Sequence, residues 1–169
     1  AFAPVDRELN SMLNVLQPFS TWDPAHGQEL WTSDGTAAGT TIAADIVPGE
    51  VSSEPWSLVR LGNILAFTAS DEEGGIGLFV SDGSQAGTRR LLPAVEVPRS
   101  SAPASLTPLP HDRVIFSARD GEHGNELWIS DGSEEGTHLL KDIVPGSADS
   151  LPHASSADFM PLGDRILFR

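Results

Sequence analysis

The chain has 169 residues, 39% of them hydrophobic, with 16 Gly, 13 Pro, no Tyr and no Cys. Against 10 basic residues stand 24 acidic ones, a formal net charge of -14, the reverse of the positive footprint that a nucleic acid or an anionic membrane surface requires. The lack of cysteine excludes disulfides, zinc thiolate sites and cysteine nucleophiles, and no apolar run approaches the ~18 residues of a spanning helix, so no membrane insertion is expected.

In chain order, the first residues, AFAPVDRE, carry no charged n-region and no apolar h-region, the pattern expected of a mature chain after export. The segment RELNSML is compatible with a helix, but Leu9 and Met12 register with Leu58 and Leu61 further on, which makes it a first strand. VLQPFSTWD supplies a second. The stretch HGQELWTSDGTAAGTTIAADIVPGE, His26 to Glu50, then gives a strand through Trp31, a tight turn and a further strand from Thr40. In the turn, Asp34 accepts backbone N–H groups two residues on, and Gly35 and Gly39 are expected to supply positive φ.

The same order returns twice. EPWSLVRLG, NILAFTASD, IGLFVSD and GTRRLLPAV read as four short strands bounded by Gly, Pro, Asp or Ser. HGNELWISDGSEEGTHLLKDIVPGS, His123 to Ser147, spells the first stretch almost again, and SADFMPLG and DRILFR begin a fourth copy. Trp31, Phe79 and Trp128 fall 48 and 49 residues apart, and Phe19, Phe67 and Phe116, then Asp23, Asp71 and Asp120, keep step with them. Pro55, Pro103 and Pro152 close the units, which run approximately over 9–53, 54–101 and 102–150, with a partial unit at 151–169, in one repeat domain spanning 1–169.

This pattern predicts an all-β chain. A period of this length marks propellers and arrays, because a four-stranded unit buries both faces only by stacking on copies of itself. Radial stacking gives β-propeller blades of four antiparallel strands, about 3.5 of them here, short of the ~4 that a closed ring needs. The competing architecture is a β-trefoil, three four-stranded units in a chain of this size, which the extra half unit disfavours. The ring aromatics, with Phe168, are expected to pack between adjacent units.

ELWTSDGTAAGT and ELWISDGSEEGT resemble the bacterial ELWxxDGT repeat. The match is carried by Glu29, Leu30, Trp31, Asp34 and Gly35 in the first copy, and by Glu126, Leu127, Trp128, Asp131 and Gly132 in the third. The middle copy keeps Asp82 and Gly83 but has Gly77 for the Glu and Phe79 for the Trp. The resemblance covers about residues 9–169 and implies propeller blades in an exported protein, extracellular or periplasmic, with no single activity attached.

Candidate chemistry sits in the loops. Asp23 with His26, and Asp120 with His123, each with a Glu three residues further on (Glu29 and Glu126), are possible ligands of a divalent metal, but a turn in which the carboxylate and imidazole hold backbone groups is the preferred reading. His26 has Gly74 as its counterpart in the middle copy. Acidic runs at Asp71 and Asp131 match no calcium loop. No serine lies in a nucleophile elbow and no phosphate-cradling glycine pattern occurs. No catalytic residue, metal or cofactor is therefore assigned, and Asp34, Gly35, Asp82, Gly83, Asp131 and Gly132 are read as structural turns. Trp22 and Trp56 lie outside the aligned aromatic positions and are the candidates for stacking on a sugar.

Three functions are compatible with this reading. The first is a non-enzymatic scaffold module, half of a larger ring completed by a second chain, as in a homo-oligomer, or by the remainder of a longer repeat protein. The second is a multivalent, lectin-like protein that binds glycans. The third is a hydrolase or lyase with its site at the propeller channel.

Overall fold

The computed structural model describes residues 17–91, 103–151, 159–162 and 165–167. RELNSML with Leu9 and Met12, the linker residues 92–102, Pro152, His153 and Phe168 lie outside them.

The described residues are all-β, with no helix and only antiparallel pairing. The first sheet holds β1 (Gln17–Asp23), β2 (Gly27–Ser33) and β3 (Thr41–Ala44). The second holds β4 (Trp56–Leu61), β5 (Ile64–Ser70), β6 (Ile76–Ser81) and β7 (Arg89–Arg90), the four strands expected of the middle unit, the last reduced to two residues. The third holds β8 (Ala104–Leu109), β9 (Arg113–Ala118), β10 (Glu126–Ser130) and β11 (His138–Lys141). A hairpin of β12 (Met160–Leu162) and β13 (Arg165–Leu167) follows. Within each sheet the strands lie side by side in chain order, and among the described residues no strand pairs with one from another sheet.

Period-two alternation decides which way each side chain points. Leu65, Phe67 and Ala69 on β5 pack with Leu30, Ala43 and Ala44 of the first sheet. Their neighbour Ala66, with Leu78 and Val80, points the other way and packs with Val114, Phe116, Ala118 and Trp128 of the third sheet. Ile115 and Leu127, on the opposite face of that sheet, join Leu151, Phe159 and Ile166 near the C-terminal hairpin. Three cores thus alternate with the sheets.

The aromatics set this stacking. Phe19 pairs with Trp31, Phe67 with Phe79 and Phe116 with Trp128 as direct cross-strand neighbours. The Phe67 and Phe79 rings stack with centroids 5.8 Å apart. In the second and third sheets each pair faces the preceding sheet and is buried. In the first sheet, Phe19 and Trp31 stand on the face away from the second and are half-buried.

Candidate functional site

The most specific chemistry in the chain lies where each hairpin meets the linker that leads onward. In the β1–β2 hairpin, Asp23 Oδ1 accepts from the N–H groups of Ala25 at 2.7 Å and His26 at 3.2 Å, and its Oδ2 lies 2.9 Å from His26 Nδ1. Asp120 repeats this in the third unit, accepting from Glu122 and His123 N–H at 3.0 and 2.8 Å, with His123 Nδ1 2.7 Å from its Oδ2. The four residues considered as metal ligands are therefore two separate Asp–His pairs. Among the described residues no three His, Asp or Glu side chains are grouped to hold a metal.

Each pair shifts its own titration. The hydrogen bond to Asp23 raises the His26 pKa above its ordinary value, and the bond to Asp120 does the same for His123. Asp23 is lowered by His26. At Asp120, burial pushes upward, yet the His123 and Glu122 hydrogen bonds win and hold the group low. Across the loop, Asp142 Oδ2 approaches His123 Nε2 at 3.9 Å.

The next three residues of the motif form a latch. Gly27 and Gly124 let the linker backbone come close: a Cβ at Gly124 would lie 2.2 Å from the Ala148 carbonyl oxygen, and one at Gly27 would lie 2.8 Å from that of Val51. The Gln28 N–H then donates to Ser52 Oγ at 2.9 Å, and the Asn125 N–H to Asp149 Oδ1 at 2.7 Å. Glu29, fully buried, closes the first latch, accepting from the N–H groups of Ile46 (2.9 Å), Val47 (3.4 Å) and Ser53 (2.9 Å) and from the Ser53 hydroxyl (2.5 Å). Glu126, equally buried, accepts from the Ile143 N–H at 3.0 Å and the Ser150 hydroxyl at 2.5 Å through one oxygen, while its Oε1 has no hydrogen-bond partner among the described residues. Burial pushes the Glu29 pKa up, against the downward pull of Ser53 and the backbone donors. Buried carboxylates of this kind are held by the number and geometry of their donors. HGxELW and DIVPGxxxS are thus the two halves of one lock.

The middle unit is built differently. Gly77 stands where the Glu would be, and Arg90 of β7 fills the space, its Nε only 2.3 Å from where a Cβ of residue 77 would sit. The Arg90 guanidinium pairs with Asp71, donates to the Ile76 carbonyl at 3.3 Å and lies 5.9 Å from the Phe79 ring centroid. Asp71 still shapes its turn, accepting from Glu73 and Gly75 N–H.

The three SDG turns are alike. Asp34 accepts the N–H of Thr36 at 2.9 Å and its hydroxyl at 2.7 Å, and Asp82 with Ser84 and Asp131 with Ser133 do the same within 0.1 Å. These bonds hold all three carboxyls below their usual range. Gly35, Gly83 and Gly132 have positive φ as expected, but Gly39 does not. Gly39 serves for lack of a side chain instead: a Cβ there would lie 2.0 Å from Asp34 Oδ1.

Trp22 is 64% exposed on β1, and Trp56 is half-buried at the start of β4. Neither lines the cleft of about 270 Å³ between the first and second sheets, which has Leu30 and Leu65 among its apolar walls and Arg60, Asn63 and Asp82 among its polar ones. The sequence reading missed the latch residues Gln28, Asn125, Glu29, Glu126, Ser53 and Ser150 as a group. Their signal was the joint loss of His, Glu and linker Asp from the middle copy. Comparison with protein-family models, with curated proteins and with solved structures found no match.

Proposed function

We propose that the chain is a non-enzymatic β-propeller module of an exported bacterial protein, part of a larger ring whose turns and end faces recruit other chains. One observation carries this reading: three antiparallel sheets, each drawn from consecutive residues, stack in chain order through separate cores, with the aromatic pairs of the second and third turned toward the preceding sheet. A trefoil would share one core and pair strands of different units at its barrel. The resemblance to ELWxxDGT repeats points the same way, as does the absorption of the conspicuous motifs into latches and turns. Native mass by light scattering tests the reading. Assembly into a species of two or more chains, or a stable complex with a partner repeat chain, is expected; a lone chain that takes no such partner would overturn it.

The exposed indole of Trp22 supports a second reading, glycan binding, since an aromatic ring on a sheet surface is a stacking platform for a sugar. Glycan-array binding that disappears in Trp22→Ala, with the fold intact by circular dichroism, is the result that would favour it.

A further inference from the structure

In β2, β6 and β10 the residue after the aromatic is buried. It is Val80 in the second unit and Ile129 in the third, but Thr32, 5% exposed, in the first. Val80 suits the place, packing with Leu61 and Val114 in the core between the second and third sheets. Thr32 shares the inward face of β2 with Leu30 and lines the cleft between the first and second sheets, and its hydroxyl makes no hydrogen bond among the described residues. A hydroxyl taken out of water needs a partner, and a position filled by Val in the next unit has no structural use for one. The two sheet boundaries also close differently. A Cβ at Gly132 would lie 2.2 Å from Ile64 Cδ1, so that turn is packed against the sheet before it. Around its counterpart Gly83, at the rim of the cleft, nothing beyond the chain neighbours lies within 4 Å of that position among the described residues.

We propose that this cleft is a binding site for a single uncharged sugar ring, with the Thr32 hydroxyl at its inner end. The volume of about 270 Å³ falls just below the ~300–1,000 Å³ of sites for drug-sized molecules, which limits the occupant to about one ring. Leu30 and Leu65, both buried, give the C–H face of a ring an apolar wall. Thr32 offers a hydroxyl that both donates and accepts, and the exposed Asn63 amide does the same at the rim. Arg60 and Asp82, also in the lining, carry opposite charges that offset each other and favour a neutral ligand over an anion or a cation. A polyol matches this set, because its hydroxyls are spread around the ring and meet the inner Thr32 and the rim together. A purely apolar ligand would leave the Thr32 hydroxyl unpaired. The site shares a ligand class with the Trp22 reading but none of its residues, and it does not depend on assembly of a ring of blades.

The test is a titration of the whole isotope-labelled protein with the methyl glycosides of glucose, galactose and mannose and with N-acetylglucosamine, followed by amide chemical shifts. Leucine, a zwitterion of similar size, serves as control. At least one sugar is expected to bind saturably with a Kd of about 1 mM, moving the amides of residues 30–32, 63–65 and 81–83. Thr32→Val should weaken that binding by about tenfold and leave the melting temperature unchanged or raised, since the hydroxyl has no partner to lose in the free protein. Asn63→Ala, at an exposed position, should give a smaller loss. No saturable shift with any of the sugars would overturn the site, as would binding that Thr32→Val leaves intact. A lowered melting temperature in Thr32→Val would show that the hydroxyl serves the fold, and would overturn it too. Shifts caused by leucine and not by the sugars would overturn the ligand class. Sugar binding lost in Trp22→Ala and kept in Thr32→Val would move the ligand to the surface of β1, against this site and in favour of the Trp22 reading. Native mass is untouched by each of these outcomes, so the ring reading is judged separately.

Discussion

The first and third units hold the linker to the hairpin with a buried carboxylate, and the second, lying between them, has no carboxylate at that place. The difference extends beyond one residue. Where the outer units have His26, Glu29, Trp31 and Asp45, or His123, Glu126, Trp128 and Asp142, the middle unit reads Gly74, Gly77, Phe79 and Pro93. Among the described residues Trp31 Nε1 and Trp128 Nε1, like Asp45 Oδ1 and Asp142 Oδ1, are buried without a hydrogen-bond partner, and the middle unit, with Phe79 and Pro93, carries neither group. A buried polar group is costly mainly when its partner is removed and it is left behind, whereas replacing the whole set by apolar groups is nearly neutral. The His, the carboxylate, the Trp and the linker Asp are therefore absent together from the middle unit, and Arg90 with Asp71 fills the space the Glu would take.

The largest effect should come from breaking one latch and leaving its donors behind. Glu29→Ala strands three backbone N–H groups and a hydroxyl, and is expected to cost about 3–4 kcal/mol, near the upper end for single substitutions. Glu126→Ala strands one N–H and one hydroxyl, and should cost about 2 kcal/mol. Urea denaturation of the two variants checks the order. Equal losses would mean that burial of the carboxylate, rather than its count of donors, sets the strength of the latch.

Rebuilding the outer type of unit in the middle sharpens the comparison from the other side. Gly77→Glu alone drives a side chain into Arg90 and should destabilise by about 2 kcal/mol, as overpacking does. Arg90→Ile places at that site the residue type found at Ile42, which pairs with Trp31 as Arg90 pairs with Phe79. The double variant should be more stable than the sum of the single effects by about 1 kcal/mol or more. A double-mutant cycle that closes to zero would show that Gly77 and Arg90 are not a compensating pair.

How much of this was legible in the sequence depends on the scale of the interaction. β5 and β6 are strongly apolar and bounded by turn residues, so ILAFTAS and IGLFVS announce themselves as strands. β7 does not: its two residues pair with β6, and the apolar GTRRLLPAV suggested a longer strand. The Asp turns were readable because Asp34, Asp82 and Asp131 act on groups two residues away. The latch was not, because Glu29 meets Ser53 across 24 positions, a distance at which single-sequence spacing carries no signal. Likewise, the unequal exposure of two nearly identical DIVPG segments, with Val47 at 6% and Val144 at 38%, belongs to their neighbours, not to their own residues.

The smallest effect distinguishes the same units by pH. His26 and His123 have folded-state pKa values raised by Asp23 and Asp120, so their contribution is full below the unfolded value of ~6.5 and is lost as pH rises through the higher folded value. The melting temperature should therefore fall slightly between about pH 6 and pH 8. Replacing both histidines by Gln should flatten that slope while leaving the acid limb in place. The acid limb has the opposite sign and comes from all three units. Asp34, Asp82 and Asp131 are held low by their Thr or Ser partners, so their contribution is present above ~3.9 and is lost as pH falls through the lowered values. A neutral-range slope that survives in the double Gln variant would mean that the Asp–His pairs do not bear on stability, and would turn attention to Glu29, whose pKa burial raises.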